Sequence, residues 1–239
     1  MKTMLYLSVV LLFLGSCKQQ SGEAASRELT PIHEPLPTNI VTEDLQKIYC
    51  PLDLGVVESD ITNNRAFLFE QHISPNIDDY PEQANWQQID SIYQSARLDT
   101  MPADKKRIVQ QTAAIQILRN HALLSQPAEQ EKIAFYTKTY IESGGKSAGL
   151  LYYCLAALRG TLPDAQQKQY IETVVSRSIR KMEEMKNWMQ TTQENLKGQE
   201  LPPEVQANLK TDFANLENIV QQEETFVRKL KGLAEMKNE

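Results

Sequence analysis

From Asp164 to Lys197 the chain runs 34 residues without a glycine or a proline, and Ile171, Val175, Ile179, Met182, Met185, Met189 and Leu196 recur at steps of three, four or seven. Nothing else in the sequence restricts the fold so tightly. A strand cannot use that spacing, whereas a helix places all seven side chains on one stripe and reaches about 50 Å. Gly198 stops the run and Pro202-Pro203 restart the chain. Val205, Leu209, Phe213, Leu216, Val220, Val227 and Leu230 then continue the same rhythm. Two such helices joined by a few residues predict an antiparallel, coiled-coil-like hairpin over 161–239.

The segment before the hairpin carries the same period in shorter pieces. Trp86, Ile89, Tyr93 and Ala96 mark one helix after Pro81, and Ile108, Ile115, Ile117, Leu118, Ala122 and Leu124 mark another opened by Pro102. After Pro127, Ile133, Tyr136, Thr137, Tyr140 and Ile141 mark a third, ended by Gly144-Gly145. Residues 148–158 are continuously apolar and predict a central helix, too short to cross a membrane. The expected fold is therefore all-α: a bundle of about four core helices at 82–160, followed by the long hairpin. Residues 39–81 are less legible, with a short helix near Thr42–Tyr49 and breakers at Pro51, Gly55, Pro75 and Pro81.

The other end of the chain points to its location. Lys2 is followed by an apolar run from Leu5 to Leu14 and then Gly15-Ser16-Cys17. This is the layout of a secretion signal, and ten apolar residues fall well short of the roughly 20 that span a bilayer. Leu14-Gly15-Ser16-Cys17 resembles the lipobox of bacterial lipoproteins. The resemblance covers residues 1–17 only. It implies cleavage before Cys17, a diacylglyceryl thioether on that cysteine and an acyl group on its amine, an anchor of several chains that holds stably where one would not. In enterobacterial lipoproteins the next residue influences sorting, and Lys18 is not the Asp of inner-membrane retention, so the resemblance implies the outer membrane, facing the periplasm. Residues 17–38, polar and with Pro31, Pro35 and Pro37, read as lipidated cysteine and flexible tether.

Charge and residue chemistry narrow the function. Loss of Lys2 with the signal leaves 24 basic against 31 acidic residues, a net −7, without a basic block, which argues against nucleic acid as a partner. Cys50 and Cys154 would then be the remaining thiols. A bridge between them would close a loop of about 100 residues and contribute about 4.7 kcal/mol, but Cys154 lies inside the apolar run and reads as a free, buried thiol.

No motif calls for a metal or a cofactor. The three histidines, His33, His72 and His121, form neither H-E-x-x-H nor Glu-x-x-His. Gly144-Gly145-Lys146-Ser147 imitates the end of a phosphate loop, but Tyr140 stands where the first glycine belongs, and a helix stop followed by a Ser147 start explains it. No G-x-S-x-G elbow occurs. Glu183-Glu184 and Glu223-Glu224 read as charge pairs on solvated helices.

Two groups remain as surfaces for a partner or ligand. Tyr136, Tyr140, Tyr152 and Tyr153 flank the double glycine and could line a pocket, and Trp188, Met189 and Leu201 sit near the hairpin's tip. Core packing is the simpler reading of both. The sequence thus favours a non-enzymatic adaptor or scaffold that binds an envelope protein or a second copy of itself. A tethered small-molecule binder is the alternative, and an envelope hydrolase the remoter one.

Overall fold

The computed structural model describes residues 29–41, 45, 48, 86–95 and 98–236. Among them are seven α-helices and no strand: α1 (Trp86–Ser95), α2 (Ala103–Leu118), α3 (His121–Leu124), α4 (Gln130–Glu142), α5 (Ala148–Ala157), α6 (Asp164–Leu196) and α7 (Pro203–Met236). The protein is all-α, with the core bundle and antiparallel hairpin that the periodicity predicts.

α5 is the centre. Its first eight residues, Ala148 to Leu155, are all buried, and α2, α4, α6 and α7 pack around it. Each leucine moved from water into such an interior contributes about 1.5–3 kcal/mol, against at most about 1 kcal/mol for an exposed ion pair. Leu150, Leu151 and Leu155 therefore outweigh the surface pairs such as Lys138–Glu142.

Local chemistry sets the helix ends. Ser147 caps α5, its hydroxyl accepting from Leu150 N at 3.2 Å. The turn before it is possible because Gly144 sits at φ +104° and because Gly145 presses flat against the Tyr140 ring, where a Cβ would collide with the ring carbons. The helix expected from Pro102 to Leu124 is in fact two. Asn120 leaves the helical region, and its side chain accepts from Ala122 N at 3.0 Å, ending α2 and opening α3.

Two boundaries differ from the sequence expectation. The base of the hairpin belongs to the core: Tyr170, Ile171, Val174, Val175, Met182, Val220, Val227, Leu230 and Leu233 join one buried cluster with α1 to α5. Met189 extends the same cluster outward, with Met185, Trp188, Phe213 and Leu216 packed against it, and only the part of the hairpin nearest the tip lies beyond. The C-terminal part of the expected tether is also docked. Residues 29–41 run extended as a strap over α7 and the end of α5, with Leu36 and Ile40 buried. Their backbone is paired: Ile32 N donates to Arg228 O at 2.9 Å, Arg228 Nε to Thr30 O at 2.8 Å, and the Arg159 guanidinium to Leu36 O and Pro37 O. Polar, proline-rich chain needs partners for its peptide groups, and here arginine side chains supply them. The short helix expected near Thr42–Tyr49 lies largely outside the described residues, within which Leu45 and Ile48 are buried.

Candidate functional site

The hairpin is built in a single register. Ser178 of α6 meets Glu223 of α7, and ten residues further out Trp188 meets Phe213, ten residues back along α7, with ring centroids 6.0 Å apart. Equal steps in opposite directions define an antiparallel pair with no slip. On α7, Val220, Glu223, Val227 and Leu230 follow the seam spacing of three and four, so a carboxylate occupies a position that is otherwise apolar.

Glu223 is the polar fixed point at the arm's root. It is 4% exposed, accepts the Ser178 hydroxyl at 2.7 Å, and also accepts the backbone N–H of Ala148, the first residue of α5. The partial positive charge at a helix N-terminus favours an anion there, so the negative side chain of α7 is held where α5 and α6 both offer donors. A lone polar layer in an apolar seam fixes register, because any slip would strand the carboxylate without partners. Arg177 adds a second clamp, donating to Ile141 O at 2.6 Å and Gly145 O at 3.3 Å and so tying α6 to the end of α4. The Gly144–Ser147 turn thus serves as a socket for the hairpin, with the α5 N-terminus occupied by the protein's own carboxylate.

Beyond this root the arm changes character. Between Glu183 and Asn218 Met189 is the one buried residue, while Met185, Trp188, Leu196, Leu201, Val205, Leu209, Phe213 and Leu216 are all half-buried. Two helices cover each seam side chain on one side only, whereas the root is covered by α4 and α5 as well. Gly198 at φ +81° makes the turn at the tip.

A second polar cluster lies between α1 and α4. Asp90 of α1 receives the Tyr136 hydroxyl at 2.5 Å, the Lys132 ammonium, and Gln94 Nε2 at 3.3 Å. Burial pushes the Asp90 carboxyl up, but these hydrogen bonds and the Lys132 charge outweigh it and leave the group below its ordinary value. Burial, then the Asp90 bond and charge, push the Tyr136 phenol up. Lys132 also lies 5.0 Å over the Trp86 ring, so this cluster fastens α1 to α4. Among the described residues no group of three His, Cys, Asp or Glu side chains converges as a metal site would require.

The structure separates the residues singled out from sequence. Tyr136 and Tyr140 are fully buried, and Tyr152 and Tyr153 nearly so, as core packing, the simpler of the two readings, places them. Tyr140 is spent on the turn, its hydroxyl accepting Ser147 N at 2.6 Å, and Tyr152 and Tyr153 meet the Phe226 ring in tilted and edge-to-face contacts, with centroids 5.7 and 5.8 Å away. Met189 is buried in the seam, while Trp188 and Leu201 remain half-buried on the arm. Cys17 lies outside the described residues. Cys154 is free and fully buried, and burial pushes its thiol up to about 12. Glu223 is hidden in the sequence by its neighbour Glu224, with which it reads as part of a solvated face; its place on the apolar stripe is the available signal.

Compared with known protein families, curated proteins and solved structures, the chain matches none.

Proposed function

We propose that this chain is a lipoprotein of the bacterial cell envelope, anchored by lipid on Cys17 to the outer membrane and facing the periplasm, where it acts as a non-enzymatic adaptor that binds another envelope protein through its hairpin arm. The observation carrying this reading is the contrast along one hairpin. Its root is locked into the core by Glu223, Ser178 and Arg177, while its outer half covers its own apolar seam only in part. A half-covered stripe of leucine, methionine and aromatic side chains on a rigid support is what helix-in-groove recognition requires. Retention of the anchor comes from the lipobox resemblance; no described helix is long and apolar enough to cross a membrane. The small-molecule alternative loses the feature that suggested it, since the four tyrosines are filled by packing.

Crosslinking and pull-down from native envelopes test the adaptor role. Trp188→Glu and Leu201→Glu variants that keep the wild-type circular dichroism should each lose the partner. If both retain every wild-type partner, the arm is not the binding surface. Cys17→Ala should abolish lipid labelling, and a lipid-labelled, detergent-phase Cys17→Ala protein would remove the anchor from the reading.

A further inference from the structure

Of the chain's net charge of −6, the segment from Glu183 to Glu217 holds −4, with seven carboxylates against three lysines in 35 residues. Few of these charges are spent within the molecule. Lys186 pairs with Glu224 of α7, and Lys181, two residues before the segment, pairs with Glu184. Glu183, Glu200, Glu204, Asp212 and Glu217 are all exposed and take part in no ion pair among the described residues. The acidic rim and the half-covered seam therefore occupy the same stretch of the arm. On α7, Asp212 and Glu217 directly flank the seam residues Phe213 and Leu216.

We propose, resting on the adaptor reading, that the arm's partner element is a basic amphipathic helix of another protein, laid along the half-covered seam as a third helix. The exposed parts of Trp188, Leu201, Leu209 and Phe213 would take its apolar stripe, and the unpaired carboxylates would take the lysines or arginines that border it. The length follows from the seam. Leu201 to Leu216 covers about 22 Å, so the partner helix contributes three to four turns, roughly 12–16 residues. Charge decides among occupants. A second copy would bring an equally negative arm against this one, and an anionic lipid surface would be repelled, whereas a basic helix is attracted and set in register by the same carboxylates.

The test places a photo-crosslinking residue at Gln193, exposed beside the seam, in the full chain in its native cells, and identifies the crosslinked peptide by mass spectrometry. The expected product is a segment of another protein with net positive charge and helical apolar spacing. Combined Glu200→Lys, Glu204→Lys and Asp212→Lys substitutions should lower its yield roughly tenfold, the size expected for three exposed ion pairs lost together. Added salt should lower the wild-type yield in the same direction. A crosslink to a neutral or acidic segment, to this chain's own arm or to lipid overturns the inference, as does a yield unmoved by the charge reversal. The first of these leaves the adaptor reading standing, since an arm-bound protein would still have been found. Absence of any protein crosslink, together with full partner retention by Trp188→Glu and Leu201→Glu, overturns both.

Discussion

Replacement of Glu223 is the sharpest test of how the arm is held. Its carboxylate accepts from Ser178 and Ala148 at a position 4% exposed to solvent. Glu223→Ala leaves two buried donors without this acceptor, at about 1–3 kcal/mol each. The truncated side chain adds a void worth about 1 kcal/mol more. Alanine also relieves the cost of burying a charge, which offsets part of the loss. The net expectation is about 3 kcal/mol, a sizeable share of the roughly 5–15 kcal/mol available to a domain. Glu223→Gln keeps the shape and one acceptor oxygen but forfeits the charge facing the α5 N-terminus, for about 1–2 kcal/mol. Ser178→Ala removes one donor and should cost about 1 kcal/mol or less. Urea unfolding followed by circular dichroism gives all three values, and the order Ala, Gln, Ser178→Ala is the essential result. Combining Ser178→Ala with Glu223→Gln should show coupling of about 1 kcal/mol, because the two side chains touch. A Glu223→Ala protein within about 0.5 kcal/mol of wild type would refute the polar-layer argument, and so would glutamine costing as much as alanine.

Three further outcomes follow from the geometry. Because the folded Asp90 carboxyl lies below its ordinary 3.8, its stabilising effect is present above that value and is lost as pH falls through the lower folded value; the drop in urea midpoint between about pH 7 and about pH 3 should therefore be smaller in Asp90→Asn than in wild type, and an unchanged drop would contradict the Lys132–Tyr136 network. Cys154, with its thiol pushed up to about 12, should resist alkylation at neutral pH until denaturant is added, and native labelling at the rate of a free thiol would show the α5 environment to be wrong. Gly232→Ala should favour helix by about 1 kcal/mol yet drive its Cβ into the Ile32 carbonyl, releasing the strap; limited proteolysis near residues 29–41 should quicken roughly tenfold while the circular dichroism of the core is retained, and unchanged cleavage would mean that the strap is not seated there.

The all-α architecture was legible because its signals are periodic and long: Ile171, Val175, Met182 and Met189 of the seam and the faces of α1 and α4 appear at the spacing that buries them. Residues that act across space against their local pattern were not. Glu223 is one of two adjacent glutamates on a charged helix, and its burial is made favourable by donors distant in sequence, Ser178 on α6, 45 residues earlier, and the N-terminus of α5, 75 residues earlier. The strap was hidden for a related reason. Its prolines and polar residues exclude a helix, and sequence alone cannot show that Arg159 and Arg228 satisfy its carbonyl groups from 122 and 198 residues away. For the tyrosines the pattern left pocket and core both open, with core the simpler: a polar tip marks a surface only if no internal partner exists, and Asp90 and Ser147 are such partners for Tyr136 and Tyr140.

The strap and the arm together give the molecule a direction. Leu29 and Thr30 are held by Lys231 and Arg228 near the end of α7, while the tip turn lies at that helix's start. From Arg228 back to Pro203 is 25 residues, about 38 Å of helix. With a lipid on Cys17, residues 18–28 could extend at most about 40 Å. Under the proposed lipid anchor, a chain attached at the root of the arm would let the tip swing through a larger volume than attachment at the tip. Were residues 29–38 undocked, the point of attachment would lie some nine residues further along and the arm's root would be free to turn. Docking residues 29–38 removes that freedom, so the hydrogen bonds from Arg159 and Arg228 fix where the pivot sits. The same residues that the sequence offers as a linker thereby become part of the folded body at the arm's root.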